Sequence, residues 1–534
     1  MNNIDFDRGR RYNFNVKCFD IYETDFRKQY FKGENIMKKV LAFLLATIMV
    51  LSMFVACADD PDKGQEGNNG GANTDNGTAG DAATPLKVPD TNYGGQEFRI
   101  LGKGDSQAHW KSVDLTAEEM DSDPISLAVY YRNLAVEEKY GITVVEYDVN
   151  DYFNQAAEAT LSCSSGSDDY DMFALSPVLA VASLINNGYL YDLNEMTYMN
   201  LEAEWYDPNS IEQLSLGGKS YLAMGSMLIM DDDATGAVFF NKQMVTENSL
   251  PDFYAMVENG TWTIDAMTEY ATKVHYDEDG NGAMDVATDT WGCLSEKSVT
   301  LAFVAGGGNH IISKDKDDYP TISCNSEHYL DMLEKVLTLS NDFETTMFAE
   351  ALSGYGDVWV EALDVAFNES RALFYAAWLN RATLFRSMET DFGILPYPKY
   401  DADQKDYYSF VSLYCANSIS VPMTVTDVDF VSTAIETLSW ESMYNSTSLD
   451  EAYYTKTLEF KGARDEQSQR MLDIIFENTV FDLGYMFDWG GICSKITGTS
   501  GVSGGNASGF LSGIQALTKS INKNIEKTMD KVGY

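Results

Sequence analysis

Cysteine, histidine and basic charge are all scarce in this 534-residue chain, and each shortage removes a class of function. Beyond Cys57 the cysteines Cys163, Cys293, Cys324, Cys415 and Cys493 are odd in number and widely scattered, so a disulfide framework is not indicated. None has CxxC spacing, and His109, His275, His310 and His328 lie far apart, which leaves no zinc site to build. Lys and Arg number 37 against 82 Asp and Glu, for a formal charge of -45. Such a surface repels phosphate and excludes general nucleic-acid binding. It also keeps a secreted protein soluble, which accounts for most of these carboxylates. No GxSxG, HExxH or phosphate-loop motif occurs, which disfavours several enzyme classes. What is present is apolar content of 45%, with 13% aromatics, enough for a large core and two domains.

The stretch Met37 to Cys57, MKKVLAFLLATIMVLSMFVAC, fixes where the rest of the chain resides. Two lysines precede an apolar run that ends in small residues and a cysteine, the layout of a secretory signal. Its end resembles a bacterial lipobox, in which the cysteine receives diacylglycerol and becomes the mature N-terminus. Ala56 and Cys57 fit that pattern, and Phe54 departs from its usual leucine. Lipidation at Cys57 would supply two acyl chains, enough for stable anchoring. The competing reading is an uncleaved membrane helix, since the run approaches the roughly 20 residues a span requires. Residues 1–36 precede the place where a signal should open. Lys32-Gly33-Glu34 can be encoded by AAA GGA GAA, a ribosome-binding sequence, so translation is expected to start at Met37. The alternative is a basic extension at the cytoplasmic end of the signal. Residues 57–92, rich in Gly, Asn, Asp and Thr without apolar periodicity, read as a flexible stalk.

The body alternates strand and helix signals. EFRIL (97–101) reads as a strand, and Asp123-Pro124 as a cap and first-turn proline. Leu127, Tyr131 and Leu134 are expected on one helical face, with Gly141 as the stop. A strand over 142–146, a helix carrying Phe153, Ala156, Ala157 and Leu161, a strand over 170–175 and a helix over 178–184 follow. This succession predicts a parallel sheet with right-handed crossovers and ligand loops at one edge. Asp105 and Ser176, after the first and third strands, occupy that edge.

The ordered segments YDMFALS (170–176), NNGYLYDL (186–193), GGKSY (217–221), FFNK (239–242), TWT (261–263), GGGN (306–309), RALFYAAW (371–378), FGILPYP (392–398) and ISVP (419–422) run through the body. In that order the chain resembles family 1 extracellular solute-binding proteins, the substrate-capturing lipoproteins of ABC importers related to maltose-binding protein. The resemblance implies an α/β fold of two lobes joined by a hinge, of the type II kind, with ligand captured by closure. Residues 93–233 and 402–450 would form lobe one, and 238–400 and 451–534 lobe two. Crossings would fall near 233–236, 400–408 and 449, with the terminal helix on lobe two.

The same resemblance implies a carbohydrate ligand, permease partners in the membrane, a monomer and no catalysis. Sugar recognition needs flat apolar faces and planar hydrogen-bonding groups. Trp378 and Glu296 stand at family positions of those two kinds, Asp233 lies at the first crossing, and Trp489 resembles a late aromatic that closes over sugar. Trp110 and Tyr375 are further candidates, with core packing as the competing reading. A surface glycoside hydrolase, or a sensor or adhesin using the same cleft, stays open as an alternative. No cofactor is required. A candidate structural calcium loop is DEDGNGAMD, where Asp277, Asp279, Asn281 and Asp285 hold the first, third, fifth and ninth positions of an EF-hand-like pattern. Thr288, followed by Asp289, stands where that pattern has a glutamate.

Overall fold

Two β-sheets, each with one strand running against the rest, organise the computed structural model of the chain. It describes residues 83–534 except 108, 112, 119–121, 459–465 and 500–503. The signal segment, Cys57, the extension 1–36 and nearly all of the stalk lie outside the described residues. Among the described residues no helix is long and apolar enough to cross a membrane.

The first sheet contains β1 (Gln96–Gly102), β2 (Ile142–Asp148) and β3 (Met172–Leu175). The second contains β4 (Gly236–Asn241), β5 (Trp291–Ser295), β6 (Thr346–Phe348), β7 (Ala372–Trp378) and β8 (Phe392–Leu395). A late strand, β9 (Ser418–Ser420), returns to the first sheet. The spatial orders are β9-β3-β1-β2 and β8-β4-β7-β5-β6. β1 pairs parallel to β2 and β3, whereas β9 lies antiparallel to β3. In the second sheet β4 is antiparallel to both β7 and β8. The reversed strand in each sheet is therefore the one that enters from the other lobe. β7, ALFYAAW, is buried at every position, as expected of a central strand covered on both faces.

The local stops and starts follow their chemistry. Asp123 accepts from the N–H groups of Ile125 and Ser126, Pro124 opens the helix Pro124–Tyr140, and Gly141 ends it at φ 63°, where a side chain would be strained. Its buried face differs from the expected one. Ile125, Ala128, Val129, Arg132, Val136 and Tyr140 are buried, while Tyr131 is 45% exposed. In the helix Gln155–Ser165 the inward face is Gln155, Ala159, Ser162 and Cys163, and Leu161 points to solvent, as does Phe153 in the single turn Tyr152–Asn154 before it.

The lobes connect where Thr235 bridges Val411 and Ser412 N–H donates to Ala234 O at 2.9 Å. The second crossing thus falls at about 411–412, later than the expected 400–408. The helix Leu449–Leu458 packs on Pro124–Tyr140 through Leu449, Ala452 and Tyr453. The terminal helix Ala507–Val532 is not confined to lobe two. It packs on both Ala182–Asn187 of the first lobe and Glu327–Ser340 of the second. Thr528 Oγ1 donates to Asn186 Oδ1 at 2.7 Å, tying its last turns to the first lobe.

Candidate functional site

Parallel pairing of β5 with β7 places Leu294 beside Tyr375, so both strands deliver their C-terminal residues to one sheet edge. Glu296 follows β5 and Trp378 ends β7, and the Trp378 Nε1–H donates to Glu296 Oε1 at 3.2 Å. The other carboxylate oxygen accepts from the Nε1–H of Trp359, a residue 37% exposed at the start of the short helix Trp359–Leu363, far away in sequence. Ser298 Oγ also donates to Oε1. One half-buried carboxylate is thereby held between two indoles, of which Trp359 is 37% exposed while Trp378 is 6% exposed and packs into the core. Sequence reasoning missed Trp359, because nothing local in GYGDVWV marks it as a neighbour of Glu296.

The antiparallel register sets Gly236, the first residue of β4, opposite Trp378. Asp233, just before it, therefore reaches the same edge: its carbonyl accepts from Asn380 N–H at 3.1 Å and its Oδ1 from Tyr453 OH at 3.1 Å. The Asn380 amide donates to His109 O at 3.4 Å, which brings the loop after β1 against the loop after β7. A cleft of about 180 Å³ opens there, with His109, Lys111, Asp233, Asn380 and Tyr453 in its wall. Lys103, the residue after β1, is fully enclosed; its Nζ donates to Cys415 O at 2.6 Å, and burial lowers it to about 8. It pins the first sheet edge to the second crossing.

Several sequence-predicted residues serve elsewhere. Trp489 is 3% exposed, stacks on Phe487 at 4.6 Å and donates through Nε1 to Thr528 Oγ1 at 3.0 Å. It is packing beneath the terminal helix, with no face left for a sugar. Tyr375 is buried, and its hydroxyl donates to Asp364 Oδ1 at 3.0 Å, an aspartate that also pairs with Arg381 at 3.2 Å. Ser176 caps a helical turn by accepting from Leu179 N–H and donates to the carbonyls of Leu413 and Tyr414. Its hydroxyl holds the lobe-crossing segment rather than a ligand. Asp105 is exposed on the loop after β1, and Trp110 is half-buried against the core.

The acidic loop folds around a different set from the one expected. Carboxylate oxygens of Asp277, Asp279 and Asp289 lie within 4.8 Å of one another. Asn281 instead spends its amide on Asp279 Oδ2 and Ala283 N–H, and Asp285 Oδ1 accepts from Ala287 N–H. The buried Asp289 replaces them: it accepts from the N–H groups of Glu278 and Asp285. The backbone N–H of Gly282 holds the Asp277 carboxyl below the usual range. Three hard oxygen donors on one turn suit calcium better than a softer metal.

No family model matches the sequence, and no curated protein matches it. The fold does have solved counterparts. A cyclo/maltodextrin-binding protein complexed with maltotetraose is 13% identical, with 82% of this chain and 98% of that chain aligned at a TM-score of 0.50. UspC of M. tuberculosis is likewise 13% identical, over 80% of this chain and 99% of that one, at a TM-score of 0.50. At such low identity the likeness concerns backbone architecture. The chain accordingly shares its two-lobed α/β fold with these two proteins.

Proposed function

We propose that this chain is a non-catalytic, substrate-binding lipoprotein of an ABC importer that captures a carbohydrate between its lobes and delivers it to permease subunits. The observation that carries this reading is the Glu296 carboxylate gripped by the indoles of Trp378 and Trp359 at one sheet edge. The exposed apolar ring of Trp359 beside a carboxylate acceptor suits the CH face and hydroxyls of a sugar ring. The maltotetraose bound by the similarly folded cyclo/maltodextrin-binding protein supports the same ligand class. The signal-like run ending in Cys57 supports export and a lipid anchor at the outer face of the cell membrane, with the protein acting as a monomer. A thermal-shift screen of the folded chain over mono- and oligosaccharides tests capture. The expected result is a raised unfolding midpoint with the sugar recovered intact; release of shortened product from an oligosaccharide would overturn it.

Asp277, Asp279 and Asp289 favour a second element of this reading, a structural calcium ion on the acidic turn. Extracellular calcium at millimolar levels would fill a site of modest affinity. Occupancy at about ten times the dissociation constant raises the midpoint by roughly 1–2 °C over a chelator-treated sample. Asp279→Ala removes that difference. Identical melting with calcium and with chelator would sink the metal.

A further inference from the structure

Where the first lobe passes into the crossings, a second pocket of about 350 Å³ opens, within the roughly 300–1,000 Å³ range of small-molecule sites. Asp207, Asp231, Asp232 and Asp450 line it, Glu204 and Glu477 join them, and no lysine, arginine or histidine occurs among the described lining residues. Two of the four aspartates are already engaged. Asp207 caps the helix Pro208–Leu214 through the N–H groups of Asn209 and Ser210, and Asp450 accepts from Ser226 Oγ at 2.7 Å. Asp231 is different. It is 6% exposed, and its enclosed Oδ1 has no hydrogen-bond partner among the described residues.

A buried acceptor with no donor, set among like charges, is costly unless it takes up a proton or a positive group enters. The carboxyls register that cost. Burial, then the charge of Asp207, pushes Asp231 well above the usual carboxylate range. Burial and then Asp231 do the same to Asp232, and burial raises Asp450 to about 6.

The spacing indicates which kind of cation fits. Among the described residues the group that gathers three carboxylate oxygens within 4.8 Å is the Asp277 turn, so these aspartates are spread too widely for one metal ion. Tyr206, Tyr453, Tyr454 and Phe476 contribute rings to the rest of the wall, beside small and aliphatic residues such as Gly225 and Leu228. Rings beside carboxylates suit the diffuse charge and apolar body of an organic cation. We propose that this pocket is a second ligand site, taking a small organic cation with a primary ammonium or guanidinium group. Tyr206 belongs to the first lobe, while Phe476 and Glu477 end the helix Glu466–Glu477, whose Leu472 and Ile475 pack into the second. An occupant touches both sides of the crossing and so stabilises one lobe arrangement.

Calorimetric titration of the folded chain with putrescine, agmatine and calcium chloride tests the site. At least one amine should bind with submillimolar affinity, and Asp231→Asn and Asp450→Asn should each weaken it about tenfold or more. Both variants keep side-chain shape and relieve the crowding of acidic groups, so neither should lower the unfolding midpoint. Trp378→Phe should leave amine affinity unchanged, which separates this pocket from the carbohydrate cleft. The proposal is overturned if neither amine binds at about 5 mM, if both asparagine variants bind as the native chain does, or if Trp378→Phe abolishes amine binding. Calcium bound in place of the amines and lost in Asp231→Asn would also overturn it, in favour of a metal.

Discussion

Truncating Trp378 to alanine should weaken carbohydrate binding by roughly 30- to 1,000-fold, the equivalent of about 2–4 kcal/mol, the range of central aromatic anchors. The side chain is 6% exposed, so the same change also removes core volume and lowers stability by about 3–5 kcal/mol. Binding and folding effects are separated by two companions. Trp378→Phe keeps most of the apolar body and deletes the Nε1–H that Glu296 accepts, and it should cost about tenfold in affinity. Trp359→Ala removes the more exposed indole, and it should weaken binding by about tenfold or more with little change in midpoint. Affinity is read by titration with whichever sugar gives the largest thermal shift. Native affinity in both Trp378→Phe and Trp359→Ala would move the sugar site away from this edge.

The two halves of that cluster differ in how far sequence could reveal them. Glu296 follows β5 and Trp378 ends its sheet neighbour β7; the family resemblance singled out each, and the parallel pairing of the two strands brings them together. Trp359 is 63 positions from Glu296 and arrives at the start of a short helix whose placement depends on tertiary packing. The same division runs through the fold. Caps and stops such as Asp123, Pro124 and Gly141, or Thr263 before Ile264–Val274, are legible because their hydrogen bonds close within a few residues. Which face turns inward is decided by partners far along the chain. Leu161, 70% exposed, and the wholly buried Arg132 both defeat a reading based on apolarity. Aromatic identity misled in the same way at Trp489 and Tyr375, where the polar tip found a buried partner and the ring became core. In the acidic turn, the pattern identified the loop but not that the thirteenth position, Asp289, would supply the inward carboxylate.

Arg132→Ala should be among the most destabilising single changes in the first lobe, at about 3–5 kcal/mol. The guanidinium is fully enclosed, and burial lowers it to about 10. It donates to the carbonyls of Asp114 at 2.8 Å, Leu115 at 3.1 Å and Met227 at 3.0 Å, and to Ser442 Oγ at 3.4 Å. One side chain thus joins Pro124–Tyr140 to two loops and to the helix Val428–Tyr444. Removing it leaves a cavity and buried carbonyls without their donor, two penalties that add. Arg132→Met restores the volume but no donors, so it should recover only about 1–2 kcal/mol of the loss. An exposed pair gives the contrast. Lys273 and Glu269 have side chains 53% and 58% exposed, and Lys273→Ala should cost less than about 0.5 kcal/mol. Denaturant midpoints of the three variants decide the matter: if Arg132→Ala unfolds alongside Lys273→Ala, the buried guanidinium does not hold these segments together.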